Sequence, residues 1–360
     1  MALSGNKGEW SEIYTLLKII SDKNIFAGDS DLNKIESLIF PIIRILRDES
    51  RGTYEYAYDS DIVIIKGDKE EFRIPISQFQ EKTIFLLSKL KKTTTATFSI
   101  PEIESFINSF NCDSLKARST VKSDIKIVIH DQRTGTTPEL GFSIKSQLGG
   151  ASTLLNAGKT TNFIYKIEPA TLSEFQIDLI NKIDGKSKIK DRIEKIKEFS
   201  ETLCFSKTES SIFGNNLILI DSALPIILSE IVYLFFTSGF TRTVDLINEI
   251  ARKNPLGYNL ETNHPYYSYK IKHFLTDVAL GMMPSKVWTG QLDATGGYLV
   301  VKEDGEVLCY HIYNRNEFED YLINNTKLET ASSTRHEFGT IYKVDNQLYF
   351  KLNLQIRFIK

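Results

Sequence analysis

From Glu9 to Ile20, the residues Ile13, Leu16, Leu17 and Ile20 recur at three- and four-residue spacing, which places them on one face of a helix. The same spacing of Ile35, Leu38, Ile39, Ile42, Ile43 and Leu46 predicts a second helix over Leu32–Leu46. The pattern then changes period. Asp61–Lys66 and Phe72–Ile76 read as a hairpin turning at Gly67 and Asp68. Helices follow over Phe79–Leu90 and Pro101–Phe110, the latter capped by Ser99 with Pro101 in its first turn. Asp124–His130 and Leu140–Gln147 read as strands joined by turn-rich residues 131–138. Gly149–Thr161 is a loop of small residues with room for one helical turn.

Thr171–Leu203 reads as two helices parted at Gly185, and Ile218–Gly281 as mainly helical. Beyond Gly281 two hairpins, Gly297–Val301 with Val307–Tyr313 and Gly339–Phe358 about Asp345 and Asn346, flank a helix over Asn316–Leu322. The expected class is α/β of the mixed α+β kind, a mixed sheet flanked by helices with a ββαββ-like C-terminal region. A chain of 360 residues exceeds one ordinary core, so two domains or one elaborated domain are expected, with a division into 1–204 and 205–360.

Composition excludes some classes. Hydrophobic content of 41% with 25% charged residues supports packed cores, and the 16 Tyr and 22 Phe are expected to fill them. Cys112, Cys204 and Cys309 are too few and too scattered for a disulfide framework, and neither they nor the five His have zinc-site spacing. No secretory signal is evident, and the longest apolar stretch, Ile226–Phe236, is too short to span a bilayer. A cytoplasmic protein with no membrane partner is expected. A net charge of −2 argues against a protein that coats DNA generally, so any nucleic-acid function must come from a local site. Lys182, Lys186, Lys188, Lys190, Arg192, Lys195 and Lys197 form one basic run, which suits either a solvated helix face or phosphate contacts.

The chemistry concentrates around Asp124 and Lys145. Metal-assisted phosphodiester hydrolysis needs carboxylate oxygens for Mg²⁺ and a cation near the attacking water and the phosphate. An Asp at the start of one strand and a Lys in the next can meet at one sheet edge. Strand alternation puts Phe142 and Ile144 on one side and Ser143, Lys145 and Gln147 on the other. A water-facing amphipathic strand gives the same alternation. The adjacent loop of Gly, Ser and Thr suits close approach of a phosphate backbone. Glu139 lies about 20 Å along the strand from Lys145 and cannot complete the pair. On the first helix, Glu9 falls at the centre of the apolar arc and Glu12 on its flank, where a carboxylate is costly unless paired. A first-turn Glu that favours the helix dipole explains either one equally well.

With Asp124 followed by Ser143-x-Lys145, the chain resembles the PD-(D/E)XK nuclease superfamily, in which an Asp precedes Glu-x-Lys on the adjacent strand. Ser143 departs from that pattern. The resemblance implies a third acidic group from elsewhere, and in this superfamily an N-terminal helix commonly carries a Glu four residues after a Gly. Gly8 and Glu12 have that spacing, so Glu12 is the first candidate and Glu9 the reserve. The implied metal set is Asp124, Glu12 and the main-chain carbonyl of Ile144, with Asp124, Glu12, Lys145 and Gln147 catalytic. Asn6–Glu12, Gly296–Val301 and Tyr310–Arg315 are similar to the HpaII-type restriction endonucleases. That likeness implies a type II enzyme cutting duplex DNA within CCGG, with Mg²⁺, usually as a homodimer, and a cognate DNA methyltransferase expected genetically. It makes 1–204 the catalytic core and gives 205–360 to DNA recognition or dimerisation.

Reading guanines requires Arg or Lys in the major groove. Arg315 with Asn314, and Arg335 with His336, lie at turns of the tail and are the first candidates; Arg118, Arg133 and Arg242 come after them. Ser332, Ser333 and Thr334 could contact phosphate, and Ser146 and Lys159 are further DNA-binding candidates beside the catalytic strand. Two other functions fit the same residues: a structure-specific or repair nuclease, and a DNA-binding protein without catalysis, which Ser143 would explain.

Overall fold

The computed structural model describes residues 3–117, 123–132 and 135–360 and divides into two compact units. The first unit comprises residues 1–152, 292–321 and 360. It opens with helix α1 (Lys7–Asp22). Asn6 caps the helix by accepting from Glu9 N–H, and the Glu9 carboxylate returns the bond to Asn6 N–H. Strands β1 (Asn24–Gly28), β2 (Lys34–Glu49), β3 (Gly52–Asp59), β4 (Ile62–Lys66) and β5 (Glu71–Pro75) follow, then helices α2 (Ile76–Lys92) and α3 (Pro101–Asn108). Strands β6 (Ile125–Ile129) and β7 (Glu139–Ser146) complete the continuous part.

The region expected as a second helix is strand β2. Its apolar positions are dense enough to satisfy both periods, but Pro41 removes a helix donor and the Ile residues are β-branched, so the strand wins. Phe40, Ile42, Ile45, Arg47 and Glu49 point inward, with a bulge between Ile42 and Arg44. Helix α3 also differs at its start. Ile100, not Ser99, is the capping residue, and no side chain caps it.

Residues 153–291 and 322–359 form the second unit. Its elements are β8 (Thr153–Leu155), β9 (Asn162–Glu168), α4 (Glu174–Asn181), α5 (Lys188–Glu198), β10 (Thr202–Thr208), α6 (Ser211–Ile220), α7 (Leu224–Ser238), α8 (Thr243–Lys253) and α9 (Tyr266–Leu280). Later in the chain β11 (Gly297–Val301) and β12 (Val307–His311) return to the first unit, and α10 (Arg315–Asn324) straddles the division. The chain ends with β13 (Thr326–Leu328), α11 (Ser333–His336), β14 (Ile341–Val344), β15 (Gln347–Asn353) and β16 (Ile356–Phe358) in the second unit. That unit holds a sheet ordered β10-β9-β15-β14 and another ordered β13-β16-β8.

The first unit's sheet has nine strands in the order β1-β12-β11-β7-β6-β2-β3-β4-β5. Since β2 also pairs with β1, six of them close a ring through β12, β11, β7 and β6. Strand β7 is central, antiparallel to β6 and parallel to β11. Gly297 lets β11 also pair closely with β12: its φ is +102°, and a Cβ there would lie 2.1 Å from the Tyr310 carbonyl. Helices α1, α2 and α3 share one apolar core with the sheet, built on Trp10, Ile45, Phe79, Ile107, Ile127 and Phe142 among others.

The two C-terminal hairpins therefore belong to different sheets, and no ββαββ subdomain forms. Nor do the contacts follow a single cut after residue 204: residues 153–204 pack in the second unit, whereas 292–321 complete the first. None of the described helices is long and apolar enough to cross a membrane alone; α6 and α7 pass that test only as a pair bent by 111°.

Candidate active site

Asp124 stands immediately before β6, where its N–H donates to the Phe142 carbonyl at 2.8 Å and ties it to β7. Its Oδ2 accepts from Ile144 N–H at 2.7 Å and from the Ser143 hydroxyl at 3.1 Å. Ser143 is buried and occupies the position where an acidic ligand was sought. It is a donor that orients Asp124. Phe142 and Ile144 pack into the core, as the alternation predicts. Lys145 turns the other way, with its ammonium 4.9 Å from the centre of the Tyr298 ring. Gln147 lies just past the strand, half-buried, its N–H bonded to the Val301 carbonyl at 2.8 Å.

Helix α1 supplies two carboxylates with different surroundings. Glu9 is committed to the capping box and pairs with Lys116 at 3.0 Å. Those bonds hold its carboxyl below the ordinary range, the main-chain bond to Asn6 contributing most. Glu12 is half-buried and raised to about 8, first by burial and then by the negative charge of Asp124. The charges of Arg47 and Lys116 and a bond from Ala117 N–H pull it partly back. Burial lowers the Lys145 ammonium from its usual range, opposed by the charges of Asp124 and Glu12. Glu12, Asp124 and Lys145 thus share one electrostatic environment. The wheel position treats Glu9 and Glu12 alike; in the structure Glu9 is committed to the capping box, whereas Glu12 feels the charge of Asp124.

Among the described residues, no group of three or more His, Cys, Asp or Glu side chains converges as a metal site. The charge of Asp124 opposes ionisation of Glu12, and a hard divalent cation bound by such carboxylate oxygens relieves that opposition. The donor set fits such an ion through Asp124 and Glu12.

Sequence reasoning missed Arg47. This buried guanidinium pairs with Glu49 and donates to Cys112 Sγ at 3.0 Å and to the carbonyls of Ser114 and Leu115 at 2.8 and 3.1 Å. It fixes the segment that carries Lys116 and Ala117 to Glu12. A charged residue on the inward face of a strand was the available signal, hidden by the helical reading of that stretch.

The DNA-contact candidates scatter. Arg315 is exposed and bonded to Glu319 at 2.6 Å, and the adjacent Asn314 is buried, which withdraws its amide from solvent. Arg335 is exposed and forms no ion pair with a described residue, whereas the His336 carbonyl accepts from Asn162. Lys159 pairs with Glu337 at 2.5 Å, Ser146 bonds Ser11 at 2.8 Å, and Arg242 donates to the Asn324 carbonyl. Arg118 and Arg133 lie outside the described residues. In the basic run, Arg192 is structural: buried, it donates to the carbonyls of Asn181, Ile183 and Gly339. Lys186, Lys188 and Lys190 instead line a groove of about 480 Å³ opposite Ser332–Thr334.

No solved structure matches the chain. The sequence pattern of the HpaII restriction endonuclease family matches residues 6–358. A curated relative, the type II restriction enzyme HpaII of Haemophilus parainfluenzae, is 53% identical over 361 residues, covering 99% of each chain. With that coverage, the chain belongs to the HpaII restriction endonuclease family.

Proposed function

We propose that this type II restriction endonuclease cuts duplex DNA within CCGG with Mg²⁺, using Asp124, Glu12 and Lys145 in a PD-(D/E)XK arrangement in which Ser143 replaces the second acidic residue. The observation that carries the reading is the shared field of the three side chains: Asp124 raises Glu12, and both carboxylates act on Lys145. Bound Mg²⁺ would be held by Asp124, Glu12 and the Ile144 carbonyl, and supplies Lewis-acid polarisation of the phosphate. Asp124 is oriented for this by Ser143 and Ile144 N–H. Lys145, its proton loosened by burial, orients or deprotonates the attacking water and offsets charge on the phosphorane. Gln147 extends the same polar stripe toward the water. Arg315, Arg335 and His336 are the base-reading candidates, with Lys159 and Ser146 on phosphate. We assign recognition or dimerisation to the residues after 204 that lie in the second unit, homodimeric action to the enzyme, a cytoplasmic setting, and a cognate methyltransferase as its genetic companion.

The test is digestion of a sequenced plasmid by the wild-type and Asp124→Ala proteins, with Mg²⁺ or with EDTA. Discrete wild-type fragments ending at CCGG, lost in EDTA and in the variant, are expected. A smear or preference for branched DNA would support a structure-specific nuclease, and no cleavage under any condition a binding protein. Persistent cleavage by Asp124→Ala would refute the site.

A further inference from the structure

Beside Glu12 the first unit opens into a cleft of about 670 Å³, whose walls include Lys7, Thr94, Lys116, Ser146 and Gly150. Lys7 and Lys116 both line this cleft, and the charge of Lys116 acts on Glu12. Lys116 is exposed, and its bond to Glu9 joins two partly solvated groups, so the pair is weak and exchangeable, on the order of 0–1 kcal/mol. Lys7 forms no ion pair with a described residue. The loop after β7 is held against the start of α1, since a Cβ on Gly149 would come within 3.2 Å of Lys7 Cβ. At Gly150 a Cβ would meet nothing within 4 Å, which leaves the main chain open to the cleft.

We infer that this cleft seats the sugar–phosphate backbone of duplex DNA next to the bond to be cut, with Lys7 and Lys116 contacting phosphates and Lys116 leaving Glu9 to do so. The lining is that of a polyanion site: separated cations, hydroxyls of Thr94 and Ser146, and a glycine main chain that a phosphate can approach closely. The inference rests on the nuclease reading above and adds which surface takes the backbone.

Each phosphate contact releases counterions, so log K against log salt steepens by about 0.9 per contact on duplex DNA. The experiment measures anisotropy of a labelled CCGG duplex across a salt series, with Ca²⁺ replacing Mg²⁺ to hold off cleavage. Lys7→Gln and Lys116→Gln, which keep most of each side chain's stem, should each flatten the slope by about 0.9, and the double variant by about 1.8. Lys69→Gln, at an exposed position outside the cleft, should leave it unchanged. Thermal melts matching wild type establish that the folds are retained. Wild-type slopes in both cleft variants, or an equal loss in Lys69→Gln, overturn the inference while leaving the site intact if Asp124→Ala is inactive. An active Asp124→Ala protein overturns the catalytic site and the cleft assignment together.

Discussion

Glu12→Gln should inactivate the enzyme and at the same time make the metal-free protein more stable at alkaline pH. The folded protein raises the Glu12 carboxyl from 4.5 to about 8. For a group raised on folding, the stability it contributes is complete below about pH 4.5 and is lost as pH rises through about 8. Fully expressed, the shift corresponds to about 5 kcal/mol at roughly 1.36 kcal/mol per unit. Solvent reaching the half-buried carboxyl screens much of this and leaves roughly 1–3 kcal/mol. Glutamine keeps an oxygen for Ala117 N–H but carries no charge to oppose Asp124. In EDTA at pH 8.5 its melting temperature should exceed wild type by roughly 1–4 °C. Between pH 5 and 8.5 the wild-type melting temperature should fall relative to the variant. Differential scanning fluorimetry over that range reads the effect directly. A variant melting below wild type at pH 8.5, or two parallel pH profiles, would refute a strained carboxylate at Glu12.

Lys145→Ala should lower single-turnover cleavage by several orders of magnitude while specific DNA binding stays measurable by gel shift. Near-wild-type cleavage would remove Lys145 from the chemistry. Ser143→Ala takes one hydrogen bond from Asp124 and should cost about tenfold in cleavage rate, far less than Asp124→Ala, because Ile144 N–H still holds the same oxygen. Arg192→Met should destabilise the protein by about 2–4 kcal/mol in urea titration, because three carbonyl oxygens lose their donor, and should leave the salt dependence of DNA binding unchanged. A flatter salt dependence would return Arg192 to the phosphate contacts.

The local parts of the site were legible in the sequence. Asp124 and Lys145 lie at neighbouring strands, and period-two alternation is enough to put Ser143 and Lys145 on one side of β7. The choice of Glu12 needed the family spacing from Gly8, because Glu9 and Glu12 are both first-turn or second-turn acids and only capping geometry separates them. Strand β2 was misread because its dense apolar run fits two periods, and Pro41 was the residue to weigh. Non-local facts had no sequence signal: that β11 aligns with β7, that Asn314 turns inward, and that Arg192 reaches Gly339. Ser143 looked like a missing ligand. Its hydroxyl bond to Asp124 depends on the rotamer of the Asp, which no pattern of residues records.

The pairing of β7 with β11 also joins two parts of the chain that are made far apart in time. Strand β7 ends at Ser146, and its parallel neighbour begins at Gly297. During synthesis the Lys145 strand therefore waits, with one edge open, while the whole intervening stretch leaves the ribosome. Contacts so distant along the chain close slowly. Tyr298, whose ring lies beneath the Lys145 ammonium, arrives only with that late strand. A chain that stops before Gly297 carries Glu12, Asp124 and Lys145 yet lacks both the strand that borders β7 and the Tyr298 ring against the lysine.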